Sequence, residues 1–488
     1  MLEYPACWIF YSVPVAKSAY TDHHCGSFTA CAGRNGAACL KECLKGMKCL
    51  MNKEELKRLA CEIIDSRHDD IHALGDSIFA EPETGWKEFK TAEKIKKVFE
   101  GLGFPTKDKQ CITGVIADVK GKEKKLKLSV MGELDALGVP DSPFADPVTG
   151  AAHMCGHHCM IAALSGVAYA LADRRITDEL SGDVALMAVP AEEFVEMAYR
   201  GQLRREGKIK MFGGKQEFIY RGLMDDIDMM IMQHNTSTEG TQETPIKANV
   251  GGTSNGFVSK EVFYKGKAAH AGGSPFNGIN ALNAAKIGLF AIDAQRETFK
   301  DEDHIRVHPI ITKGGDTVNV VPADVRIETY VRGGSVEAIL DASRKVNRAL
   351  KAGGDAVGAE TRIDEVPGYL PMKNDEGLQD LMYANLVALL GKEHVARHVP
   401  HSGGSTDAAD VAALMPTVHA YIGGAEGVAH SKDYHIVDKE LSYMVAAKAL
   451  TMTVIDLLAD GAKVGLEIKK NFKPAMTKQE YIDAWCNM

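Results

Sequence analysis

Short apolar strand segments alternate with helical segments along most of this chain. "DVALMAVP" and "DIDMMIMQH" are apolar runs of strand length, and "IAALSGVAYALADRR" has the small-residue composition of a buried helix. Parallel strands are covered on both faces and joined through helices, so this alternation predicts an α/β fold with a mostly parallel sheet. The main part of the 488-residue chain is therefore expected to have this architecture.

The pattern of residue types in the sequence changes near residue 250. "NVGGTSNGFVSKEVFYKGKAAHAGG" begins with a glycine-rich joint and continues with strand-like alternation. The segments that follow have the order β-α-β-β-α-β, which is typical of a ferredoxin-like α+β domain. We therefore predict an inserted domain over residues 250–366, which divides the main domain into residues 51–249 and 367–488.

The first 50 residues do not match the rest of the chain. They hold six of the 11 cysteines, but no C-x-x-C pair. At Met51 the sequence opens directly into an amphipathic helix, "MNKEELKRLACEIIDSRHDD". We predict that residues 1–50 are an atypical Cys-rich N-terminal extension and that Met51 is the functional start. The alternative is a cysteine-rich metal or redox module.

Charge and composition narrow the class of function. The formal net charge is −9, whereas a nucleic-acid binder usually shows a basic face. No apolar run approaches the length of a membrane span, and an odd, uneven set of cysteines does not suggest a disulfide framework. We therefore expect a cytoplasmic protein that acts on a small molecule, with neither a nucleic acid nor a membrane as partner.

Acidic and histidine side chains follow four of the predicted strands. Ligands of open α/β sheets bind outside the carboxyl ends of the strands, so these side chains are expected at one edge of the sheet. Each of them alone is more often a helix-capping or surface residue, and only the repeated context argues for a site. They are Glu133 and Asp135, Glu192 and Glu193, His234, and His430 and His435.

The stretch "AAHMCGHHCM" adds a thiol and imidazoles to this set. Cys155 and His157 open a helix, where the amide dipoles favour a thiolate. Thiolate, imidazole and carboxylate together suit a borderline divalent ion such as Zn²⁺, or Mn²⁺ with more oxygen ligands. Five candidate ligands are too many for one ion, so we expect two ions that share a ligand, and Glu192 is then free to act as a base. The candidate ligands are Cys155, His157, Glu193, His234 and His430.

The motifs "GELDAL", "HMCGHH", "PAEEF" and a late "AHS" resemble a known family. They are similar to the metal-dependent amidohydrolases of the aminoacylase/carboxypeptidase metallopeptidase family. The closest branch includes hippurate, indoleacetyl-amino-acid and aminobenzoyl-glutamate hydrolases. The similarity spans about residues 53–460. It implies that Cys155 bridges two ions and that His157, Glu193, His234 and His430 are terminal ligands.

The same resemblance implies further roles and a partner. Glu192 would be the general base and proton shuttle, and Asp135 would orient a ligand. His270, in "KAAHAG", would help to polarise the scissile carbonyl, in many members from across a dimer interface. Asn319 and Arg332 would hold the substrate carboxylate. The resemblance thus implies a homodimer, with the inserted domain as lid and dimerisation domain.

The leading hypothesis is metal-dependent hydrolysis of an amide bond in a small N-acyl amino acid or dipeptide-like substrate, aminobenzoyl-glutamate-like or hippurate-like. Metal-activated water would attack the carbonyl, with Glu192 as general base. One alternative is a cysteine hydrolase with Cys155 as nucleophile. Another is a non-catalytic metal-binding relative. Chelators discriminate the first two, because a cysteine hydrolase survives them.

Several residues depart from the family pattern or carry weaker signals. His158 stands where Asp or Asn is usual, and the basic segment 194–233 is long enough to reshape the pocket. Residues 405–407 either line the pocket or form a structural turn. His435 is a weaker metal candidate than His430, and Cys159 is expected to be a packing residue.

Overall fold

The structure is a computed structural model that describes residues 51–241, 243–397 and 399–487. The predicted Cys-rich extension, residues 1–50, lies outside the described residues, so both interpretations of it stay predictions. Five of the cysteines lie within the described part, and all five are free thiols: Cys61, Cys111, Cys155, Cys159 and Cys486.

The described chain has more residues in helices than in strands. Short 3₁₀ helices lie at Pro275–Asn277, Arg296–Thr298, Asp301–Asp303, Lys392–His394 and Asp460–Ala462, and π-helical turns at Glu440–Val445 and Ile482–Cys486. The α-helices in chain order are α1 (Lys53–Ser66), α2 (His68–Phe79), α3 (Phe89–Gly101), α4 (His157–Leu171), α5 (Arg174–Thr177), α6 (Met197–Arg205), α7 (Gly214–Tyr220), α8 (Ala281–Asp293), α9 (Val336–Val357), α10 (Glu376–Leu390), α11 (Ala408–Ala412), α12 (Ala446–Leu458), α13 (Lys463–Asn471) and α14 (Lys478–Tyr481).

The strands form two large sheets and three small two-stranded ones. The labelled strands are β1 (Thr106–Gln110), β2 (Gly114–Val119), β3 (Lys127–Glu133), β4 (Asp183–Val189), β5 (Met229–Ser237), β6 (Ala248–Asn249), β7 (Gly256–Lys265), β8 (Arg306–Lys313), β9 (Asp324–Gly333), β10 (Glu360–Pro367), β11 (Val395–Ala396), β12 (Thr417–Glu426) and β13 (His435–Ile436). The small sheets pair Leu137–Gly138 with Ala151–Ala152, Glu239–Gly240 with Pro245–Ile246, and Thr253–Ser254 with Met372–Lys373.

The larger sheet has nine strands in the order β1-β2-β4-β3-β5-β12-β6-β11, and β13 pairs with β12. Its four central strands, β4, β3, β5 and β12, are parallel. The flanking pairs β1–β2, β2–β4 and β12–β6 are antiparallel. The α/β class is thus confirmed, and the sheet is mixed: its four central strands are parallel, whereas the antiparallel flanking pairs were not predicted. A connection as short as that between β1 and β2 allows only antiparallel pairing.

The central strands are buried under helices on both sides of the sheet. Every residue of β3 and β4 is buried, as continuous apolar runs predict. Helix α4 is buried along almost its whole length and packs on β3 and on α12. The segment Glu440–Leu458 is apolar and long enough to cross a membrane, but 89% of its apolar window is buried inside the fold. This segment is therefore a core helix of the domain.

The second large sheet has the order β8-β9-β7-β10, with antiparallel pairing throughout. Helices α8 and α9 pack on each other and on this sheet. Its elements follow the chain as β-α-β-β-α-β, the order that the sequence predicts for the ferredoxin-like segment. The domain boundaries at residues 250 and 366, and the role of this segment as a lid or dimerisation domain, stay predictions.

Candidate active site

The candidate ligands lie at the carboxyl edge of the four central parallel strands. Glu133 is the last residue of β3, and Glu192 and Glu193 follow shortly after the end of β4. His234 lies in the carboxyl-terminal half of β5, and His430 lies in the loop that follows β12. Because these strands are neighbours and run parallel, their side chains meet at one edge of the sheet.

The Cys155 thiol lies at the centre of this cluster. Its Sγ is 3.3 Å from Nε2 of His234 and 3.3 Å from Nε2 of His430. Nε2 of His430 is in turn 3.2 Å from Oε1 of Glu193. Cys155 and Glu193 are buried, whereas about half of the His430 side chain, 52%, is exposed. The thiol therefore lies between two imidazoles, one from β5 and one from the loop after β12.

Gly156 lets the chain turn from Cys155 into helix α4. Its φ of 89° lies in the left-handed region that favours glycine. A Cβ at this position would lie 2.8 Å from Cβ of Asn235 and 2.9 Å from the Tyr434 hydroxyl. The close approach of these two side chains therefore requires a glycine between the candidate ligands Cys155 and His157.

Asp135 fixes the orientation of two candidate ligands. Nδ1 of His157 lies 2.8 Å from the Asp135 carbonyl oxygen and 3.2 Å from Oδ1 of Asp135. The other carboxylate oxygen of Asp135 accepts a hydrogen bond of 2.9 Å from the backbone N–H of Glu193. Since Nδ1 of His157 is engaged, Nε2 is the nitrogen that is left to face a ligand. The contacts of Asp135 are thus those that an orienting role requires.

The donor atoms fit a pair of divalent cations. Among the described residues, Nε2 of His157 and Oε2 of Glu133 are buried without a hydrogen-bond partner, although they lie 3.1 Å apart. Oε1 of Glu193 is also buried without one. Thiolate, imidazole and carboxylate donors that converge in this way suit Zn²⁺ or Mn²⁺. Within this cluster, three groups have their ligand atoms within 4.8 Å of one another, and two of these groups share Cys155: Cys155/His157/His234, Cys155/Glu193/His430 and Glu133/His157/Glu192.

The electrostatics of the cluster favour a thiolate and a carboxylate over their protonated forms. Burial and Glu193 raise the pKa of Cys155, but His234 and His157 outweigh them and bring it to about 6. Burial also raises the pKa of Glu193, but the neighbouring His430 imidazole outweighs burial and brings it to about 2. Both groups are therefore negatively charged at neutral pH, as metal ligands must be.

Glu192 differs from its neighbour in its protonation. Burial raises its pKa well above the ordinary value, and the charges of Glu133 and Glu193 raise it further. Its backbone carbonyl accepts a hydrogen bond from the Tyr369 hydroxyl, which holds the turn in place. Two adjacent carboxyls whose environments separate their pKa values are suited to different tasks, one as a ligand and one as an acid or base.

A cavity of about 440 Å³ opens directly onto the cluster. Cys155, Glu193, His234 and His430 line it together with Glu192. A larger cavity of about 810 Å³ lies elsewhere in the described part, and neither cysteine nor histidine lines it. The rest of the smaller cavity is formed by aromatic and polar side chains: Phe194, Val195, Phe257, Tyr330, Arg332, Tyr369, residues 403–406, His419 and Tyr421.

Arg332 brings a positive charge into this cavity. It donates a hydrogen bond of 2.8 Å to Oγ of Ser405, and its guanidinium lies 5.1 Å from the ring centroid of Phe257 and 5.3 Å from that of Tyr330. Within the described residues, no carboxylate forms an ion pair with it. The cation therefore remains available to a negatively charged group of a substrate.

His270 and Asn319 do not reach the site of their own chain. Neither residue lines the cavity, and both are exposed. They are neighbours, because His270 forms a β-bridge with Val320 and the Ala271 N–H donates a hydrogen bond of 2.9 Å to the Asn319 carbonyl. The structure thus brings these two predicted residues together, but away from the candidate ligands.

The residues with weaker signals take structural positions. Cys159 is fully buried in the main core, in agreement with its expected packing role. Nδ1 of His435 lies 2.9 Å from the Asp433 carbonyl, a local contact near the end of its loop. His158 is buried and packs against Phe79, with ring centroids 5.0 Å apart.

A buried charged residue next to the cluster, Lys215, was not among the predicted site residues. Nζ of Lys215 lies 2.5 Å from Oε1 of Glu133 and 2.5 Å from Oδ1 of Asp407, and all three side chains are fully buried. The Lys215 N–H also donates to Oδ2 of Asp407 at 2.7 Å. The position of Glu133 at the end of a strand identified it in the sequence. Lysine side chains are normally solvated, so nothing in the sequence identified Lys215 as a buried residue of the site.

Buried basic side chains of the segment 194–233 pack behind the site. Besides Lys215, it contributes Arg200, a fully buried residue whose guanidinium donates to the carbonyls of Glu193 and Phe212. It also donates to the Ala191 carbonyl at 3.3 Å. The basic residues of this segment therefore include two internal cations: Arg200 holds the turn after β4, and Lys215 neutralises Glu133 and Asp407.

Comparison with known proteins identifies the family. The model of peptidase family M20/M25/M40 matches residues 130–454. Mouse (Mus musculus) Xaa-Arg dipeptidase is 26% identical over 454 residues, which cover 88% of this chain and 95% of that protein. N-acetylcysteine deacetylase of Bacillus subtilis is 28% identical over 371 residues, 73% of this chain and 88% of that protein.

A solved structure agrees with the fold. The YxeP protein of Bacillus subtilis, a dinuclear metal-binding peptidase of the M20 family, superposes with a TM-score of 0.59. The alignment has 22% identity and covers 81% of this chain and 99% of that one. The chain belongs to peptidase family M20/M25/M40 and is a hydrolase of the amidohydrolase and metallopeptidase class. The family that the sequence motifs predict is thus confirmed.

Proposed function

We propose that this chain hydrolyses the amide bond of small N-acyl amino acids or dipeptide-like substrates, aminobenzoyl-glutamate-like or hippurate-like, with two bound Mn²⁺ or Zn²⁺ ions. The observation that carries the proposal is the Cys155 thiol between His234 and His430, with the Glu192 carboxyl facing the same cavity. The names of the relatives support it, since one is a dipeptidase and another an N-acetyl amino acid deacetylase.

The chain's own residues divide the work of the reaction. Cys155, His157, Glu193, His234 and His430 would hold the ions. When bound, the ions would polarise the amide carbonyl and lower the pKa of the attacking water. Glu192 lines the same cavity, and its carboxylate form would take a proton from the water. It then gives that proton to the leaving nitrogen.

Arg332 and the aromatic side chains define the substrate class. A guanidinium that lines the cavity and has no carboxylate partner among the described residues favours a substrate carboxylate, which N-acyl amino acids carry next to the scissile amide. Phe194, Phe257 and Tyr330 offer flat apolar surfaces nearby. Arg332→Met should raise KM for carboxylate substrates by about tenfold or more and change KM little for the matched carboxamides. An equal change for both would show that Arg332 does not bind the carboxylate.

Glu192→Gln separates catalysis from metal binding. The variant keeps the shape of the side chain but cannot accept a proton, so turnover should fall by about 10²–10⁴-fold. Bound metal, measured by elemental analysis, should stay the same. Loss of metal would contradict this division of roles between Glu192 and Glu193. Activity that persists in a chelator would instead favour Cys155 as nucleophile.

The exposed pair His270 and Asn319 supports a homodimer in which each chain completes its partner's site. If so, a mixture of the inactive variants Glu192→Gln and His270→Ala, refolded together, should recover about a quarter of the wild-type activity, because half of the dimers are mixed and each has one intact site. A mixture that stays inactive while forming dimers would contradict this arrangement.

A cytoplasmic location is part of the proposal. The five free cysteines of the described part are what a reducing compartment favours. Fractionation of cells that express the tagged chain tests it, and recovery outside the cytoplasmic fraction would contradict it.

A further inference from the structure

A second cluster of metal-binding side chains lies on the surface, apart from the candidate active site. His68 and His72 are one helical turn apart on α2, so both imidazoles project from the same face. Glu440, at the start of the segment Glu440–Leu458, faces them. Nε2 of His68 lies 2.5 Å and Nε2 of His72 lies 3.4 Å from Oε1 of Glu440. The three donor atoms lie within 4.8 Å of one another.

Two details of the histidines point to a cation. Nδ1 of His68 lies 2.9 Å from Oδ1 of Asp69, and a proton on this nitrogen would leave Nε2 free to bind an ion in place of its present 2.5 Å contact with Oε1 of Glu440. Histidines that bind metals commonly have this carboxylate on the other nitrogen. Nε2 of His72 is buried and has no hydrogen-bond partner within the described part of the chain. An unsatisfied nitrogen beside two other donors is what a bound cation satisfies.

The two elements that carry the donors are held firmly together. Tyr443 packs so closely on α2 that a Cβ at Gly75 would lie 2.7 Å from its ring. Nζ of Lys439 lies 2.6 Å from Oδ1 of Asp76, which joins the same two elements and offsets the lysine charge. Donors on rigid elements lose little conformational entropy when they bind an ion. The charges near the cluster, Asp69 and Glu440 included, favour a cation.

We propose that His68, His72 and Glu440 form a separate site for one divalent transition-metal ion, with Zn²⁺ as the expected occupant. Two imidazoles and one carboxylate are a common zinc donor set, and the exposed positions of His68 and Glu440 leave room for water as a further ligand. A nitrogen-rich set favours Zn²⁺ over Mn²⁺. The ion joins α2 to the segment Glu440–Leu458 and stabilises the folded chain, because it binds the folded form alone. This site is independent of the proposed reaction.

The test counts Zn²⁺ equivalents in the full chain. Protein freed of metal by a chelator is titrated with Zn²⁺ in competition with a chromophoric chelator. The double variant His68→Gln/His72→Gln is compared with the wild type and with a matched control, His308→Gln, which changes an exposed histidine on β8. Thermal unfolding with and without Zn²⁺ provides a second readout that does not depend on activity.

The double variant should bind one equivalent of Zn²⁺ fewer than the wild type and His308→Gln, and should lose part of the Zn²⁺-induced rise in Tm. Asp69→Asn, which keeps all three donors, should bind this equivalent about tenfold or more weakly. Equal numbers of equivalents and equal Tm shifts in the double variant and the wild type would overturn the proposal. Failure of the active-site cluster to bind metal lowers the total in every variant and leaves this difference unchanged, so the two outcomes are distinguishable.

Discussion

Removal of the buried ammonium of Lys215 should destabilise the metal-free protein severely. Lys215 neutralises Glu133 and Asp407, each 2.5 Å from its Nζ and each fully buried. Burial lowers the pKa of Lys215, but these two carboxylates outweigh burial and raise it, so the side chain stays charged. Lys215→Met would keep much of the volume but leave two buried carboxylates without a counter-charge.

The expected loss follows from the geometry of the pair. Breaking one buried ion pair by removing one partner costs about 3–5 kcal/mol, and here one cation serves two anions. The free energy of unfolding should therefore fall by about 3–5 kcal/mol. Urea unfolding in the presence of a chelator, followed by the fluorescence of buried Trp86 and Trp485, measures it. The loss should shrink as pH falls, because the orphaned carboxylates can then bind protons.

Two matched variants separate charge from packing. Lys215→Arg retains the charge and should lose less stability than Lys215→Met. The triple variant Lys215→Met/Glu133→Gln/Asp407→Asn removes all three charges, and neutral replacement of a buried ionic group is often tolerated, so it should recover most of the loss. A loss below about 1 kcal/mol for Lys215→Met, or no recovery in the triple variant, would refute this reasoning.

Two further predictions concern the cluster and the turn beneath it. The pKa of Cys155 is about 6 instead of its ordinary 9.0, so the thiolate forms above about pH 6. The alkylation rate of the metal-free protein, corrected with the rate of Cys155→Ser, should therefore level off near pH 6–7. An inflection of this rate near pH 9 would contradict the lowered pKa. A Cβ on Gly214 would lie 1.7 Å from the Pro190 carbonyl oxygen. Gly214→Ala should therefore lose about 1–3 kcal/mol of unfolding free energy, measured in urea. The control Gly101→Ala, whose added Cβ would have no described atom within 4 Å, should lose none.

The sequence predicts the candidate ligands that lie next to an identifiable strand end or helix start. Glu193 and His234 lie at the carboxyl ends of buried strands, and Cys155 lies at the start of a helix. Their convergence follows from the parallel pairing of the central strands. The antiparallel pairing of β6 with β12 escaped prediction because β6 has only two residues, too few for a periodic pattern.

Contacts between distant parts of the chain were not predictable in this way. Lys215 and Asp407 are 192 residues apart in the sequence. Nothing in the sequence next to either residue indicates that they form an ion pair. A lysine in a basic segment is more readily interpreted as a solvated residue, so its burial appears only in the folded chain. His270 shows the converse, because its motif matches the family while the fold places it away from the site of its own chain.

The most direct test of the account is amine release from a panel of N-acyl amino acids, aminobenzoyl-glutamate and dipeptides. The panel is assayed with the protein as purified, after chelation, and after Mn²⁺ or Zn²⁺ is added back. The account predicts activity that disappears with the chelator and returns with metal for at least one member. Activity that is unaffected by chelation would contradict the metal-dependent mechanism.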